Sequence, residues 1–282
     1  MTTLDQFESV FKAASKDVYH FAEIHFPRLL LVHDLEHDAG WARMVKNYLT
    51  FLPGQETWSV FTAADYTDAE DLLARVRAFE PSLICTYRNL KSSAGICPYS
   101  LGAYLDVMTQ VVQAPVLVLP HPAESAELRS NAKGLDKVMA ITHHLNGDQL
   151  LVNYADAFTA PDGHLFLTHI EEMGIFENYM ETISKISAID TDSARELIGN
   201  RLLKEPSDYA EGIRAKLARL QPELRVEAIV IMGRRLREYK ALIEQHQIDL
   251  LVFHTKNEDH LAMDGMAYPL AVELRQLPLL ML

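Results

Sequence analysis

Histidine and carboxylate side chains cluster in or directly after the short apolar runs of this sequence. Imidazole nitrogen and carboxylate oxygen are the ligands that zinc and similar divalent ions take in proteins. The residues concerned are His33, Asp34, Glu36 and His37 after the first run, and His143, His144, His169, Glu171, His254, Asp259 and His260 in later ones. The candidate metal ligands among them are His143, His169, His254 and His260.

Two features count against a metal site. Adjacent His143 and His144 point to opposite faces of an extended chain, and no close ligand pair such as H-E-x-x-H occurs. Polar residues at the rim of a crevice would give the same pattern. A metal-binding protein or a metal-dependent hydrolase therefore stays an alternative interpretation.

Two polar loops between a buried strand and a helix could instead hold a phosphate. They are TYRNLKSSAGICPYSLG (86–102) and the polar part of LLVFHTKNEDHLAMDG (250–265). In the first loop, Lys91, Ser92, Ser93 and Gly95 could form a nest of backbone N–H groups around an anion. Solvated side chains would explain these residues equally well.

Side-chain catalysis has little support. Neither a G-x-S-x-G elbow nor a Walker loop occurs, and Cys97, beside Pro98, has no base close to it in the sequence. Spacing alone assigns no acid or base role to the carboxylates. We therefore expect no enzymatic activity.

The composition limits the domain count and the partners. A chain of 282 residues exceeds the usual size of a single core, which indicates roughly two domains. The net charge of −13 repels nucleic acid and anionic lipid, and no basic stripe offsets it. The N-terminus lacks a signal peptide, and no apolar run reaches membrane-spanning length. We expect a cytoplasmic protein without nucleic-acid or membrane partners.

Short apolar runs alternate with helical patterns along the chain. The predicted strands are RLLLVHD (28–34), WSVFTA (58–63), PSLICT (81–86), DKVMAIT (136–142), HLFLTHI (164–170), VEAIVIM (226–232) and DLLVFHT (249–255). Helical patterns lie between them, including residues 67–79 and 236–246. Such alternation predicts an α/β fold, in which helices cover both faces of parallel sheets.

The two halves of the chain repeat one pattern. Each opens with strand, loop and helix, and each closes with a glycine thirteen residues before a proline: Gly102 and Pro115, then Gly265 and Pro278. We interpret this spacing as an internal repeat.

The halves differ in length. The second half carries about fifty extra residues before 226–232, with helical patterns near 174–188, 193–204 and 207–220 and a predicted capping box at 193–196. We therefore predict four strands in the first half and five in the second. An amphipathic helix near residues 4–24 could cover the face that this difference leaves bare, or bind a partner.

The order of these elements resembles a tandem universal stress protein, two adenine-nucleotide-binding α/β domains in one chain. The resemblance rests on 28–34 and 136–142 as first strands, on HLFLTHIEE as a second strand, and on the closing strand, loop, helix and strand of each half. It implies two doubly wound, Rossmann-like domains, the first lacking one strand-helix unit. It also implies a role in stress response, in binding or signalling.

The resemblance implies where ATP would bind and how far this chain departs from the pattern. The family pattern has an Asp after the first strand and a loop patterned G-x2-G-x9-G-[S/T] after the fourth. The corresponding positions in the first half are Asp34, Cys85, Arg88, Gly102 and Ala103. In the second half they are Thr142, His254 and Asn257, followed by Ala267 and Tyr268 by the family spacing, or by Gly265 and Met266 when the count starts from Pro278. Neither alignment restores the motif.

Most of these matches depart from the required residue types. His254 and Asn257 stand where glycines are expected, and Thr142 replaces the Asp. The first half keeps Asp34 and Gly102, but its loop is four residues too long. We therefore predict degenerate ATP sites, with an ATP-binding regulator that uses the first-half loop as the alternative.

The apolar ends VLVL (116–119) and LLML (279–282) would be the last strands of their sheets, and such exposed edges favour association. Resembling proteins pair their domains through these strands. We predict a helix at 1–27, a first domain at 28–120, a linker at 121–134 and a second domain at 135–282, with the domains forming an internal pseudo-dimer. A homodimer of the whole chain would be a further level of assembly.

Overall fold

The computed structural model describes residues 19–35, 39–92, 99–124, 128–142, 149–255 and 267–282. Within these ranges, nine strands form one sheet in the order β2-β1-β3-β4-β9-β8-β5-β6-β7, and eight α-helices are present. None of the helices in these ranges is both long and apolar enough to cross a membrane.

The first half of the chain contributes four strands and three helices to this arrangement. In chain order they are β1 (Arg28–Val32), α1 (Ala39–Tyr48), β2 (Thr57–Phe61), α2 (Ala69–Phe79), β3 (Leu83–Tyr87), α3 (Ala103–Val111) and β4 (Val116–Leu119). All pairings among these four strands are parallel.

The second half contributes five strands and five helices. They are β5 (Leu135–Ile141), α4 (Gln149–Phe158), β6 (Thr159–Glu172), α5 (Met173–Ser184), α6 (Thr191–Leu220), β7 (Arg225–Gly233), α7 (Arg235–His246), β8 (Leu250–Phe253), α8 (Ala267–Glu273) and β9 (Leu279–Met281). These strands are also parallel to one another.

The predicted α/β class and the count of four and five strands are confirmed. Every residue of β3, β4, β8 and β9 is buried, as expected of parallel strands covered by helices on both faces. Local signals fix the element ends: the Asp68 carboxylate accepts the Asp71 N–H at 2.9 Å at the start of α2.

The long connection in the second half differs from the prediction. Residues 191–220 form one helix, α6, with Pro206 inside it, where two helices were expected. A proline inside a helix removes one backbone donor and crowds the carbonyl four residues before it, at a cost of about 3 kcal/mol. Pro206 is buried, and the i,i+4 ion pair of Lys204 with Asp208 spans it. The predicted capping box is also wrong, because Asp190 is the N-cap and accepts the Ser193 N–H at 2.8 Å.

The segment before β1 is not helical in its described part. Residues 19–27 have no helix or strand, and the rest of the predicted N-terminal helix lies outside the described residues. Tyr19 Oη donates to Asn153 Oδ1 at 2.6 Å, and Phe26 packs against the rings of Tyr154 and Phe158. Because α4 belongs to the second half, these contacts favour an extended conformation of residues 19–27 between α4 and β1.

The two halves meet where β4 pairs with β9 antiparallel. The register places Val116 opposite Met281, Leu117 opposite Leu280 and Val118 opposite Leu279. Leu117 is the second residue after Pro115, and Leu280 the second after Pro278, so the pairing is symmetric about these two leucines. We call this contact the β4–β9 junction. Because this pairing is antiparallel, the strands of the first half run in the opposite direction to those of the second half. The carboxyl ends of the two sets of strands therefore lie at opposite ends of the strands in the sheet.

Candidate functional site

Asp34 lies two residues beyond β1, and the protein itself occupies its carboxylate. The Tyr87 hydroxyl, at the end of β3, donates to Oδ1, and the Lys91 backbone N–H donates to Oδ2. The Asp34 backbone N–H in turn donates to the Tyr87 hydroxyl oxygen at 3.1 Å. Both carboxylate oxygens therefore have donors from the same chain.

Tyrosines and Lys91 fill the space beside Asp34. The Lys91 ammonium donates to the Tyr66 carbonyl and lies 4.1 Å from the centre of the Tyr66 ring and 5.9 Å from that of Tyr104. This is a favourable cation–π arrangement. We call Asp34, Tyr66, Tyr87, Lys91 and Tyr104 the first-half cluster.

Two phenols of this cluster, Tyr66 and Tyr87, have raised pKa values. Burial raises the pKa of Tyr66, and the nearby Asp34 carboxylate raises it further. Burial likewise raises the pKa of Tyr87, and so does its hydrogen bond to Asp34. The Tyr87 ring is also held edge-on by Trp41 and His121, at 5.1 and 5.0 Å between ring centres. Tyr87 is therefore a fixed neutral donor to Asp34.

Other predicted ligands of the first-half loop are also engaged within the chain. The Ser92 hydroxyl donates to the Leu90 carbonyl at 3.3 Å, and the Gly102 N–H donates to Ser100 Oγ at 3.0 Å. A β-carbon at Gly102, which has a φ of 91°, would lie 2.9 Å from the Cα of Asn89. Gly102 is thus explained by close backbone packing as well as by phosphate binding. Ser93 lies outside the described residues.

Arg88 and Thr255 tie the two halves together at opposite ends of the β4–β9 junction. The buried Arg88 guanidinium donates to the carbonyls of Ala271 and Leu274 at the end of α8, the latter at 2.7 Å. The Thr255 hydroxyl lies 3.1 Å from the Thr109 carbonyl in α3 and 2.9 Å from that of Leu282. Arg88 therefore satisfies carbonyl groups that the end of a helix leaves open.

In the second half, Thr142 and His169 form one hydrogen-bonded group. The Thr142 hydroxyl donates to the Thr168 carbonyl at 3.2 Å, and the Thr142 carbonyl lies 2.8 Å from His169 Nδ1. His169 Nε2 lies 3.3 Å from Glu171 Oε2. Both ring nitrogens of His169 therefore face oxygen atoms of the chain.

The metal ligands predicted from sequence are only partly described. His254 lies directly after β8 and is half-buried, whereas His143 and His260 lie outside the described residues, as do Asn257 and Gly265. Among the residues that are described, no group of three or more His, Cys, Asp or Glu side chains is placed to hold a metal ion. Any metal site would depend on the remaining part of the chain.

Two cavities lie away from the predicted ligands. One of about 440 Å³, at the amino ends of β5 and β8, is lined by residues that include Arg129, Asp136 and Asp249. The other, of about 500 Å³ beside α8, includes Tyr99 and Tyr268. No residue that the sequence marked as a ligand lines either cavity.

Sequence reasoning missed the tyrosines of the first-half cluster. The strand prediction stopped at residue 86, one short of Tyr87, and Tyr66 lay in a loop with no assigned role. The Asp34–Tyr87 contact joins residues 53 positions apart, which no local pattern reports. The one available signal was a tyrosine at the end of a buried strand beside the strand that precedes Asp34.

No family sequence model and no curated protein sequence matches this chain. Solved structures do match it over most of its length. A candidate universal stress protein from Pseudomonas aeruginosa UCBPP-PA14 aligns with a TM-score of 0.54 and 11% identity, over 91% of this chain and 93% of its own.

Two further structures align comparably. A universal stress protein from Archaeoglobus fulgidus DSM 4304 gives a TM-score of 0.53 and 14% identity, over 90% of this chain and 97% of its own. A functionally unknown protein from P. aeruginosa PAO1 gives 0.53 and 12%, over 91% and 92%. The fold is that of universal stress proteins. Identities this low carry the fold and leave the ligand open.

Proposed function

We propose that this chain is a tandem universal stress protein of the cytoplasm with a binding or signalling role, in which neither half keeps the arrangement that binds ATP. The observation that carries the proposal is the occupied carboxylate of Asp34. An adenine amino group at this position would have to compete with the Tyr87 hydroxyl and the Lys91 N–H for the same two carboxylate oxygens.

The second half supports the same proposal by a different route. Thr142 stands where the family pattern has a carboxylate, and its hydroxyl already donates to the Thr168 carbonyl. A hydroxyl so committed offers no negative charge to an adenine amino group. The two halves are also separated, because their strands end at opposite edges of the sheet. A shared nucleotide site between them therefore has no support.

Thermal unfolding with and without Mg-ATP tests the proposal. A ligand that binds the folded state raises the melting temperature. Because the proposal is that ATP does not bind, we expect Mg-ATP to leave the melting temperature of the full chain unchanged. Asp34→Ala and Tyr87→Phe should each lower the melting temperature by several degrees. The first leaves the buried Tyr87 hydroxyl without its acceptor and the second leaves the half-buried Asp34 carboxylate without this donor, each at a cost of about 1–3 kcal/mol. Neither loss should depend on ATP.

The alternative readings give different results. If the chain is an ATP-binding regulator, Mg-ATP will stabilise the wild type and this gain will vanish in Asp34→Ala. If it binds metal through the second-half histidines, metal will co-purify in stoichiometric amount and be lost in His254→Ala. Native mass spectrometry of gently purified protein reports both ligands at once.

A further inference from the structure

Helices α5 and α6 form an antiparallel hairpin. Residues 185–190 join them, and the Phe176 ring of α5 packs on α6, where a β-carbon at Gly199 would lie 3.5 Å from the ring Cζ. The Arg195 guanidinium lies 5.7 Å from the centre of the same ring. Phe176 lies eight residues before the end of α5 and Gly199 eight residues after the start of α6, so the two helices run in opposite directions.

One side of this hairpin carries four apolar side chains. Its members lie one residue before and three residues after the two contacting positions, and they are Ile175 and Tyr179 on α5, and Ile198 and Leu202 on α6. Residues at equal offsets from the contact of an antiparallel pair lie on the same side of it. Ile175 is 49% exposed and Tyr179 is 61% exposed, while the two on α6 are half-buried. We call these four residues the hairpin surface.

The first described residue of the chain lies beside the same side of α6. Tyr19 is buried and donates to Asn153 of α4. Burial raises the pKa of Tyr19, and the nearby Asp156 and Tyr209 raise it further. Tyr209 of α6 is therefore close to Tyr19. It lies seven residues beyond Leu202, which is two helical turns, or about 10 Å, along the same side of α6.

Residues 1–18, which lie outside the described residues, have the length and pattern that fit the hairpin surface. Apolar residues recur there every three or four positions, as on one face of an amphipathic helix, at Phe7, Val10, Phe11, Ala14 and Val18. As a helix, eighteen residues reach about 27 Å. Tyr209 and Ile198 are only about 17 Å apart along α6. The segment that precedes Tyr19 can therefore reach the whole hairpin surface.

We propose that residues 1–18 bind the hairpin surface of their own chain as an amphipathic helix, with their apolar face on Ile175, Tyr179, Ile198 and Leu202. Attachment at Tyr19 gives the segment an effective concentration on the order of millimolar at this surface. This favours it over a second copy of the chain at micromolar concentration. Any partner helix that binds the hairpin surface must then displace the segment.

Limited digestion with trypsin tests this contact, because the segment contains Lys12 and Lys16. Mass spectrometry of the full chain follows the loss of residues 1–12 and 1–16. We expect Tyr179→Glu and Ile198→Glu each to speed these two cleavages about ten-fold or more, because burying a carboxylate under an apolar face is unfavourable. The melting temperature of each variant shows whether the rest of the chain stays folded.

Leu197→Glu is the matched control on the hairpin. Leu197 is next to Ile198 in sequence, but it faces away from α5 and is 69% exposed. Its change should leave both cleavages at the wild-type rate. The double variant Phe7→Glu with Phe11→Glu removes the apolar face of the segment itself and should be cleaved as fast as the hairpin variants.

Three results would overturn the proposal. The first is wild-type protein that is cleaved as fast as the double variant, because the segment is then unprotected. The second is a cleavage rate that ignores Tyr179→Glu and Ile198→Glu, or that Leu197→Glu raises equally, because the segment then binds elsewhere. The third is protection that disappears on dilution, because a second copy of the chain then supplies the segment.

Discussion

The hydrogen bonds of the Asp34 carboxylate differ from those that its residue type and position suggest. Asp34 is the residue type that the nucleotide-binding pattern requires, and it lies at the expected place beyond β1. Its two oxygens nevertheless serve Tyr87 and Lys91. Residue identity alone matches the ATP-binding pattern, whereas these hydrogen bonds support our proposal that Asp34 has a structural role.

Asp156 on α4 provides a second residue-scale case. Gln221 Nε2 donates to its Oδ2 at 2.9 Å, while Oδ1 is buried with no partner in the described part of the chain. Burial raises the pKa of Asp156 above its ordinary 3.8, and the Gln221 hydrogen bond offsets this only in part. The folded state then holds the proton more tightly than the unfolded state, so stability falls as the pH rises through this range.

Asp156→Asn should therefore stabilise the protein at neutral pH. The amide oxygen can still accept from Gln221, and no buried charge remains. We expect a rise in melting temperature of roughly 1–3 °C at pH 7 that shrinks as the pH falls toward about 4. Exposed Asp162→Asn, measured beside it, should change the melting temperature at pH 7 little, because its side chain is not buried. A gain that grows at low pH would contradict this account.

At the scale of elements, the β4–β9 junction determines how the halves combine. Leu117, Leu280 and Leu279 are fully buried there, in strands of four and three residues that would be too short to stand alone. Each strand completes the sheet of its own half and that of the other. We therefore infer that the halves unfold together.

Leu280→Lys should destabilise both halves at once. A buried, unpaired ammonium costs several kcal/mol, and Leu280 lies at the centre of the junction. We expect one unfolding transition, shifted down by 10 °C or more, or failure to fold, and Val118→Lys should behave alike. Leu220→Lys, at a half-exposed site at the end of α6, is the matched control and should change little. Separate transitions for the two halves would contradict the shared junction.

The sequence predicted the elements well because their signals are local. Apolar runs such as 28–34 and 249–255 became β1 and β8, and the thirteen-residue spacing of Gly102 and Pro115 marked the end of a half. The continuity of helix α6 was not predicted, because a proline usually ends a helix, whereas Pro206 is buried inside this one. The first-half cluster was not predicted because it assembles from β3, α3 and three loops, whose spacing along the chain carries no information about distance.

At the scale of the whole molecule, the β4–β9 junction separates the carboxyl ends of the first-half strands from those of the second half. The sequence analysis had treated the loops at these two places alike. Strands of the first half end at one edge of the nine-stranded sheet and strands of the second half at the other. Arg88 and Thr255 fasten the junction from these two ends. The chain thus combines the fold of universal stress proteins with the first-half cluster, whose side chains contact one another.

The most direct test of this account is a crystal structure of the full chain grown with excess Mg-ATP. We predict an unchanged hydrogen bond from Tyr87 to Asp34, the Lys91 ammonium still over the Tyr66 ring, and no nucleotide bound to the first-half cluster. An adenine bound to the Asp34 carboxylate, with Tyr87 displaced, would contradict the account.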